Sequence, residues 1–278
     1  MSSYPDDLRS LVEDELERLR FAAAPNTAGL EDAMRYSLLA GGKRVRPVLA
    51  LATARALGAE PERFLPVACA IELIHTYSLI HDDLPAMDDD ALRRGKPTAH
   101  VKYGEDVAIL AGDGLFAEAV RLFATQPGPP ERVLAALGEL AGATGVDGLV
   151  GGQYVDVIGS EHDAEGLRAL HALKTGRLIA ASVNVVPILE GSPEPETIPY
   201  RRFAEELGVL FQIVDDILDV TESDERHGKL TYVSLFGLDR ARELAAESHE
   251  KATAALAEAR GETGDLRRVA DYIFTRNS

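Results

Sequence analysis

Cysteine is nearly absent. Cys69 stands alone and cannot close an intramolecular disulfide, so thiol usage gives no sign of an oxidising compartment. Basic charge is scarce too, with 29 Lys and Arg against 46 Asp and Glu for a net charge of −17. The chain lacks the dense cationic surface that holds a phosphate backbone, which excludes nucleic acid as a main partner. Any anion it binds must meet a local basic pocket or a metal. Uninterrupted apolar runs are missing as well. The longest candidate, "LIAASVNVVPIL", carries Asn184 and Pro187 and falls short of the roughly 18–20 residues of a membrane span, so no span is expected. The opening "MSSYPDDLRSLVEDELERL" has neither a basic n-region nor an apolar h-region, so no signal peptide is expected and the expected location is cytoplasmic.

What is present is helix. With 46% hydrophobic residues the chain can bury a sizeable core. Leu8, Leu11, Val12, Leu16 and Leu19 recur at helical spacing, and "TAGLEDAMRYSLLAGGKRVRP" repeats the pattern before Gly41-Gly42. Further helical patterns cover about 48–57, 64–84, 105–124, 130–147, 164–190, 198–220 and 238–258, and "GDLRRVADYIFTR" follows. The stretch from Phe64 to Leu84 holds few charges, which is the mark of a helix buried all round. Strand-type alternation never persists. Pro and Gly in "TQPGPPE" and "EGSPEPETIP" mark loops rather than domain linkers. The expectation is one all-α domain over residues 1–278, a bundle of roughly ten helices.

Two acidic clusters break this apolar pattern. "HDDLPAMDDD" places five carboxylates between residues 81 and 90, directly after a buried helix, and "FQIVDDILDV" sets Asp215, Asp216 and Asp219 among Ile213, Val214, Ile217 and Leu218. Asp215 and Asp219, four apart, share one helix face, with Asp216 flanking. Carboxylates so crowded repel unless a cation sits among them. Ligands that are all oxygen select a hard cation, and Mg²⁺ is the usual one where a phosphate completes the shell. In the first cluster a regular helix turns Asp88 away from Asp82, but Pro85 lacks the N–H that would bond His81 and so breaks the helix. That break lets Asp88 swing back toward Asp82. A solvated surface or a helix cap is the plainer account of one acidic run; two such runs in apolar surroundings favour the metal.

Metal-gathering acids suggest a polyphosphate substrate, which also needs cations. "GGKRVRP" supplies Lys43 and Arg46 at i, i+3 on a helix expected to start after the two glycines, where free N–H groups favour anions. "ALRRGKP" supplies Arg93 and Arg94, and "LKTGRL" supplies Lys174. Any one of these is an ordinary surface charge. Together, in so acidic a chain, they read as an anion site. His81 is expected to pack or hydrogen-bond rather than ligate, because hard Mg²⁺ prefers oxygen.

In order, "GGKRVRP", "SLIHDDLPAMDDDALRRGKPTAH", "LAGDGLFAEA", "GLVGGQYVDV", "LKTGRLIAAS" and "FQIVDDILDV" resemble the signature segments of the trans-isoprenyl diphosphate synthases, or polyprenyl synthetases. The short-chain bacterial farnesyl type is the nearest match. The resemblance implies an all-α, isoprenoid synthase-type bundle around a central cavity. It also implies a homodimer, three Mg²⁺ ions, and condensation of isopentenyl diphosphate with dimethylallyl or geranyl diphosphate to a C15 product. Asp82, Asp83 and Asp88 would bind Mg²⁺ against the allylic diphosphate, and Asp215, Asp216 and Asp219 would serve the third ion. Arg93 and Lys174 would grip the allylic diphosphate; Lys43, Arg46, His75 and Arg94 would hold isopentenyl diphosphate. The carbonyl of Thr175 and the side chain of Gln212 would face the developing cation, and Gln153 and Asp156 match a segment beside the cavity.

Product length is expected to be set one turn before the first cluster, by Tyr77 and Ser78. Tyr77 at five before Asp82, with the insertion "LPAM", resembles the bacterial farnesyl type. One departure stands out. Between Asp219 and Lys229, "DVTESDERHGK" holds a single lysine where the family usually has two, and Lys229 matches the later one. Three other readings stay open: a geranylgeranyl (C20) synthase sharing every catalytic residue, a terpene cyclase, and a noncatalytic partner subunit. The acidic "DDILD" speaks against the cyclase.

Overall fold

The computed structural model describes residues 4–22, 24–159, 163–222 and 230–276, the side chains of 219–222 excepted. Lys229 and the side chain of Asp219 therefore lie outside the described residues. Contacts divide the chain into two compact units, one of Asp7–Leu51 with Pro61–Pro127, the other of Met1–Asp6 and Ala52–Glu60 with Gly128–Ser278. Nearly all of both is α-helix, as the hydrophobic periodicity predicts.

The first unit draws on α1 (Asp6–Arg18), α2 (Ala28–Leu38), α3 (Val45–Ala56), α4 (Leu65–Asp82), a hairpin of β1 (Leu92–Arg93) and β2 (Lys96–Pro97), α5 (Ala99–Tyr103) and α6 (Glu105–Phe123). Leu8, Val12 and Leu16 on α1 are fully buried at spacings of four, the expected stripe. Helix α4 packs along α6. It buries Val67, Ala68, Cys69, Ala70, Ile71 and Leu73 completely, and each such Leu or Ile is worth about 1.5–3 kcal/mol over exposure. The charge-poor sequence of α4 follows from that burial.

Helix α3 begins at Val45 rather than just after Gly41-Gly42. Arg44 adopts φ 52, so Lys43 lies outside the helix and does not share a face with Arg46 in the expected i, i+3 sense. The hairpin, a further departure, turns through Arg94 (φ 53) and Gly95 (φ 73), a pair of left-handed residues that suits a two-residue connection.

The second unit contains α7 (Pro130–Thr144), α8 (Leu149–Ile158), α9 (Ala164–His171), a π-helical turn (Ala172–Gly176), α10 (Arg177–Glu190), α11 (Glu194–Glu222), α12 (Tyr232–Phe236), α13 (Leu238–Glu258) and α14 (Gly264–Thr275). α11 packs on α13 and α10, and α10 also lies along α7. The expected continuous helix over 164–190 is interrupted by the π turn, and α8 has no counterpart in the periodicity because Gly151 and Gly152 are poor helix formers. Their presence has a steric cause. A Cβ on Gly152 would stand 2.3 Å from the backbone nitrogen of Lys174, and one on Gly208 would stand 2.9 Å from Cα of Gly176.

Among the described residues three helical stretches, Pro61–Asp82, Pro130–Ile158 and Ala164–Glu190, are long and apolar enough to cross a membrane by length and composition alone. This corrects the expectation that no segment qualifies, which demanded uninterrupted apolar runs. In Pro61–Asp82 the apolar window is 72% buried, so its side chains are occupied by packing within the protein.

Gly152→Ala is expected to lower stability by about 2–3 kcal/mol, since the obstacle is backbone and cannot rotate away. Gly138→Ala, where nothing lies within 4 Å, should instead raise it by up to about 1 kcal/mol. Urea unfolding of both variants measures the contrast.

Candidate active site

Helix α4 ends in the first acidic cluster, and the chain then folds back. The N–H of Asp88 donates to the carbonyl of Asp82 at 2.9 Å, and the N–H groups of Met87 and Asp89 both donate to Leu84. The break around Pro85 thus closes a turn that returns Asp88 to the end of the helix. Asp82 and Asp88 are partly exposed there. Asp83 differs: it is buried, and its Oδ1 accepts from Nε (2.8 Å) and lies 2.6 Å from Nη2 of Arg93. Burial pushes its carboxyl above the usual carboxylate range, a shift that Arg93 partly offsets. Of the three aspartates expected to act alike, Asp82 and Asp88 come together and Asp83 braces the hairpin.

Basic groups collect in the same unit. Arg46 Nη1 lies 3.3 Å from His75 Nε2. Arg94, at the hairpin turn, donates to the carbonyl of Gly41 and lies over Gly42, where a Cβ would meet its Nη1 at 2.7 Å. Burial first, and then Arg46, Arg94, Arg93 and Arg44, hold His75 well below the usual imidazole range. A neutral imidazole bonded to Arg46, with Arg94 close enough to act on it, suits an anion, and it offers a donor without a further charge. Lys43 is exposed. His81 Nε2 lies 3.1 Å from the carbonyl of Ile109. The imidazole packs onto Gly112 of α6 in place of a side chain there, so this contact and its hydrogen bond fall on the neighbouring helix rather than on its own.

The second unit carries its own network. The π turn presents Lys174 and Thr175, a local irregularity often found at functional positions. Lys174 Nζ bonds Asp156 Oδ2 at 2.6 Å, and Thr175 Oγ1 donates to Gln212 Oε1 at 3.1 Å. Gln212 Nε2 then donates to Asp216 Oδ1 at 2.9 Å, and the N–H of Tyr232 donates to Asp216 Oδ2 at 2.7 Å. Both oxygens of the buried Asp216 are thus engaged. Asp215 is more open and accepts from Arg276 Nη2, a partner with no signal in the sequence. The Arg276 guanidinium also lies 4.4 Å from the centre of the Phe211 ring. Gln153 Nε2 is buried with no hydrogen-bond partner among the described residues.

Among the described residues no three His, Cys, Asp or Glu side chains converge to hold a metal by themselves. The chemistry of the donors nevertheless fits Mg²⁺, which keeps several waters and is bound through one or two carboxylates plus substrate phosphates. Asp82 and Asp88, all-oxygen and partly exposed, fit that description; Asp215, partly exposed and paired with Arg276, supplies a further carboxylate.

The polyprenyl synthetase profile matches residues 27–239, a span that includes both acidic clusters and Lys43, Arg46, Arg93, Arg94 and Lys174. The chain belongs to the polyprenyl synthetase family. It is 47% identical over 270 residues to a chloroplastic geranylgeranyl pyrophosphate synthase of Capsicum annuum, covering 90% of this chain and 72% of that one. A geranylgeranyl diphosphate synthase of Cyanophora paradoxa is 40% identical over 291 residues, covering 99% and 96%. The crystal structure of an FPP/GFPP synthase from Zymomonas mobilis superposes with a TM-score of 0.89 at 35% identity, over 96% of each chain. The fold is that of the isoprenoid synthases, and the protein is a prenyltransferase.

The split within each acidic cluster has a measurable consequence. Asp83→Asn and Asp216→Asn each disturb a buried, hydrogen-bonded carboxylate and should cost about 1–3 kcal/mol in metal-free urea unfolding. Asp82→Asn and Asp88→Asn, partly exposed, should stay within about 0.5 kcal/mol. His75 yields a pH signature. In the folded protein it stays neutral well below 6.5, whereas unfolded it protonates near 6.5, so stability present above pH 6.5 is lost as pH falls, at up to about 1.4 kcal/mol per pH unit. Against wild type, His75→Gln should flatten that loss between pH 6.5 and 5 in thermal unfolding.

Proposed function

We propose that the protein joins isopentenyl diphosphate to an allylic diphosphate in a Mg²⁺-dependent head-to-tail (1′-4) condensation and releases geranylgeranyl diphosphate (C20). One observation carries the reaction class: Arg46 bonded to His75, Arg94 held at Gly41 and the Asp82–Asp88 turn share one unit of a chain of net charge −17. The length is supported by the two curated relatives, both of which are named for the C20 product.

In this reading Lys43, Arg46, Arg94 and His75 hold isopentenyl diphosphate. Arg93 and Lys174 grip the allylic diphosphate, with Lys229 contributing. Asp82 and Asp88, and Asp215 with Asp219, would hold three Mg²⁺ ions, whose positive charge stabilises the departing diphosphate. Asp83 and Asp216 act by keeping Arg93 and Gln212 in place. As the allylic C–O bond breaks, the carbonyl of Thr175 and the Gln212 side chain face the developing carbocation. The cation adds to the double bond of isopentenyl diphosphate, and the departing diphosphate takes the proton lost in forming the product. The reading keeps residues 1–278 as one catalytic domain.

A C15 product is the second reading, favoured by Tyr77. Its ring meets Phe116 edge-on at 5.4 Å and His81 at 5.8 Å, about one turn before Asp82. Ser78, buried beside it, donates to the carbonyl of His75 at 2.9 Å.

A homodimer is the assembly implied by the family, and the exposure of Ile109, Leu110, Phe116 and Val120 on α6 supports a protein interface there. Sedimentation equilibrium tests it. Cytoplasm is the location expected from sequence, whereas the name of the Capsicum annuum relative supports a plastid; a fluorescent fusion separates the two.

The deciding assay supplies purified protein with Mg²⁺, isopentenyl diphosphate and dimethylallyl or geranyl diphosphate, and sizes the dephosphorylated products by mass spectrometry. A dominant C20 alcohol is expected, whereas a dominant C15 alcohol restores the farnesyl reading. Folded protein without turnover favours a partner subunit. Tyr77→Ala should lengthen the dominant product by at least one C5 unit, and Ser78→Phe should shorten it. If both variants release the parent product, neither residue sets the length.

A further inference from the structure

Arg44 is the most buried basic residue of "GGKRVRP", next to the exposed Lys43 in sequence. Its side chain is 1% exposed, yet its backbone holds φ 52, a left-handed conformation that a non-glycine residue seldom adopts. Three parts of the first unit converge on it. Nη1 donates to Glu72 Oε1 of α4 at 2.6 Å, Nε donates to Glu13 Oε1 of α1 at 2.9 Å, and Nη2 donates to the carbonyl of Leu38, where α2 ends, at 2.8 Å. Glu72 is itself 3% exposed on its side chain. Such a buried charge persists only when paired and hydrogen-bonded, and a planar guanidinium serves three acceptors in fixed directions as an ammonium cannot.

The register of these contacts is informative. Glu72 and His75 sit three apart on α4, so they lie on one face. Arg44 meets Glu72, and Arg46, two residues on, meets His75. The residue between them, Val45, opens α3. Where Arg44 is fixed, the start of α3 and the position of Arg46 over His75 follow, and so does the direction in which Lys43 leaves. With its side chain 1% exposed, Arg44 has no path to a diphosphate. Its effect must pass through its neighbours.

We infer that Arg44 is a positioning residue for isopentenyl diphosphate, clamped by Glu72, Glu13 and the Leu38 carbonyl so that Lys43 and Arg46 form one grip on that substrate. The inference rests on the assignment of Lys43, Arg46 and His75 to isopentenyl diphosphate.

Arg44→Lys keeps the charge and removes the fork. It should raise KM for isopentenyl diphosphate about tenfold or more, while kcat and KM for the allylic diphosphate stay within about threefold. Glu13→Gln weakens only the partly exposed arm of the clamp, and it should shift KM for isopentenyl diphosphate in the same direction by less. This variant carries the test if Arg44→Lys does not fold. Calorimetric titration with isopentenyl diphosphate should show the same loss without turnover. A lowered melting temperature with KM for isopentenyl diphosphate unchanged, or equal losses for both substrates, would overturn the inference and leave Arg44 a stabilising residue only. Lys43→Ala and Arg46→Ala separate the two levels. If they raise KM for isopentenyl diphosphate and the clamp variants do not, the positioning role fails alone. If they too leave it unchanged, the assignment of the subsite fails and the inference goes with it.

Discussion

A carboxylate removed from water must find donors, and in both acidic clusters the second aspartate of the Asp-Asp pair meets that demand within the protein. Asp83 takes Arg93; Asp216 takes Gln212 and the N–H of Tyr232. The first aspartate of each pair is left more open. This division lets like charges stand side by side, because one of the two is already neutralised or hydrogen-bonded before any cation arrives. It also ties each acidic cluster to what surrounds it. Arg93 brings with it the hairpin and Arg94, while Gln212 brings Thr175 and the π turn. An Asp-to-Asn change at the second position therefore disturbs a neighbouring functional group as well as a charge.

The same logic governs the basic groups. A chain of net charge −17 attracts an anion only where cations are concentrated, and here they are concentrated by backbone devices. Arg44 and Arg94 both occupy left-handed conformations, and Asp89 does so in the turn after Asp82. Non-glycine residues held this way cost free energy that the surrounding hydrogen bonds must offset, and they tend to cluster at functional sites. Among the described residues every non-glycine with positive φ lies in this one region.

Much of this organisation is legible in the sequence, and the limit is physical. Periodicity reports burial, so it finds α1, α4, α6 and α13, whose apolar faces recur regularly. The segments it misses are those where something other than burial sets the backbone. Gly151 and Gly152 hide α8, since they serve a close approach rather than helix propensity, and the π turn has no periodic signature of its own. Residue type likewise identifies the acids but not their division of labour. Asp82 and Asp83 are adjacent and identical in chemistry; only the hairpin, which brings Arg93 onto one of them, tells them apart. Arg276 lies far along the chain from Asp215, and nothing local connects them.

The tension between Tyr77 and the names of the curated relatives is a matter of magnitude. On the proposed reading a growing chain descends past Tyr77, whose ring is held by edge contacts to Phe116 and His81. Aromatic pairs of this kind are worth about 0.5–1.5 kcal/mol each beyond the area they bury, so displacing the buried ring from both costs roughly 1–3 kcal/mol on top of about 1.5–3 kcal/mol of burial. Burying one more C5 unit returns about 4 kcal/mol at about 0.8 kcal/mol per carbon. The hydroxyl adds no anchor by ionising, because burial, with Asp82 nearby, pushes it up to about 12. On that reading the two terms are of similar size, so Tyr77 would grade product length rather than forbid C20. A side chain that resembles the farnesyl type is therefore compatible with a chain whose relatives are named for the longer product.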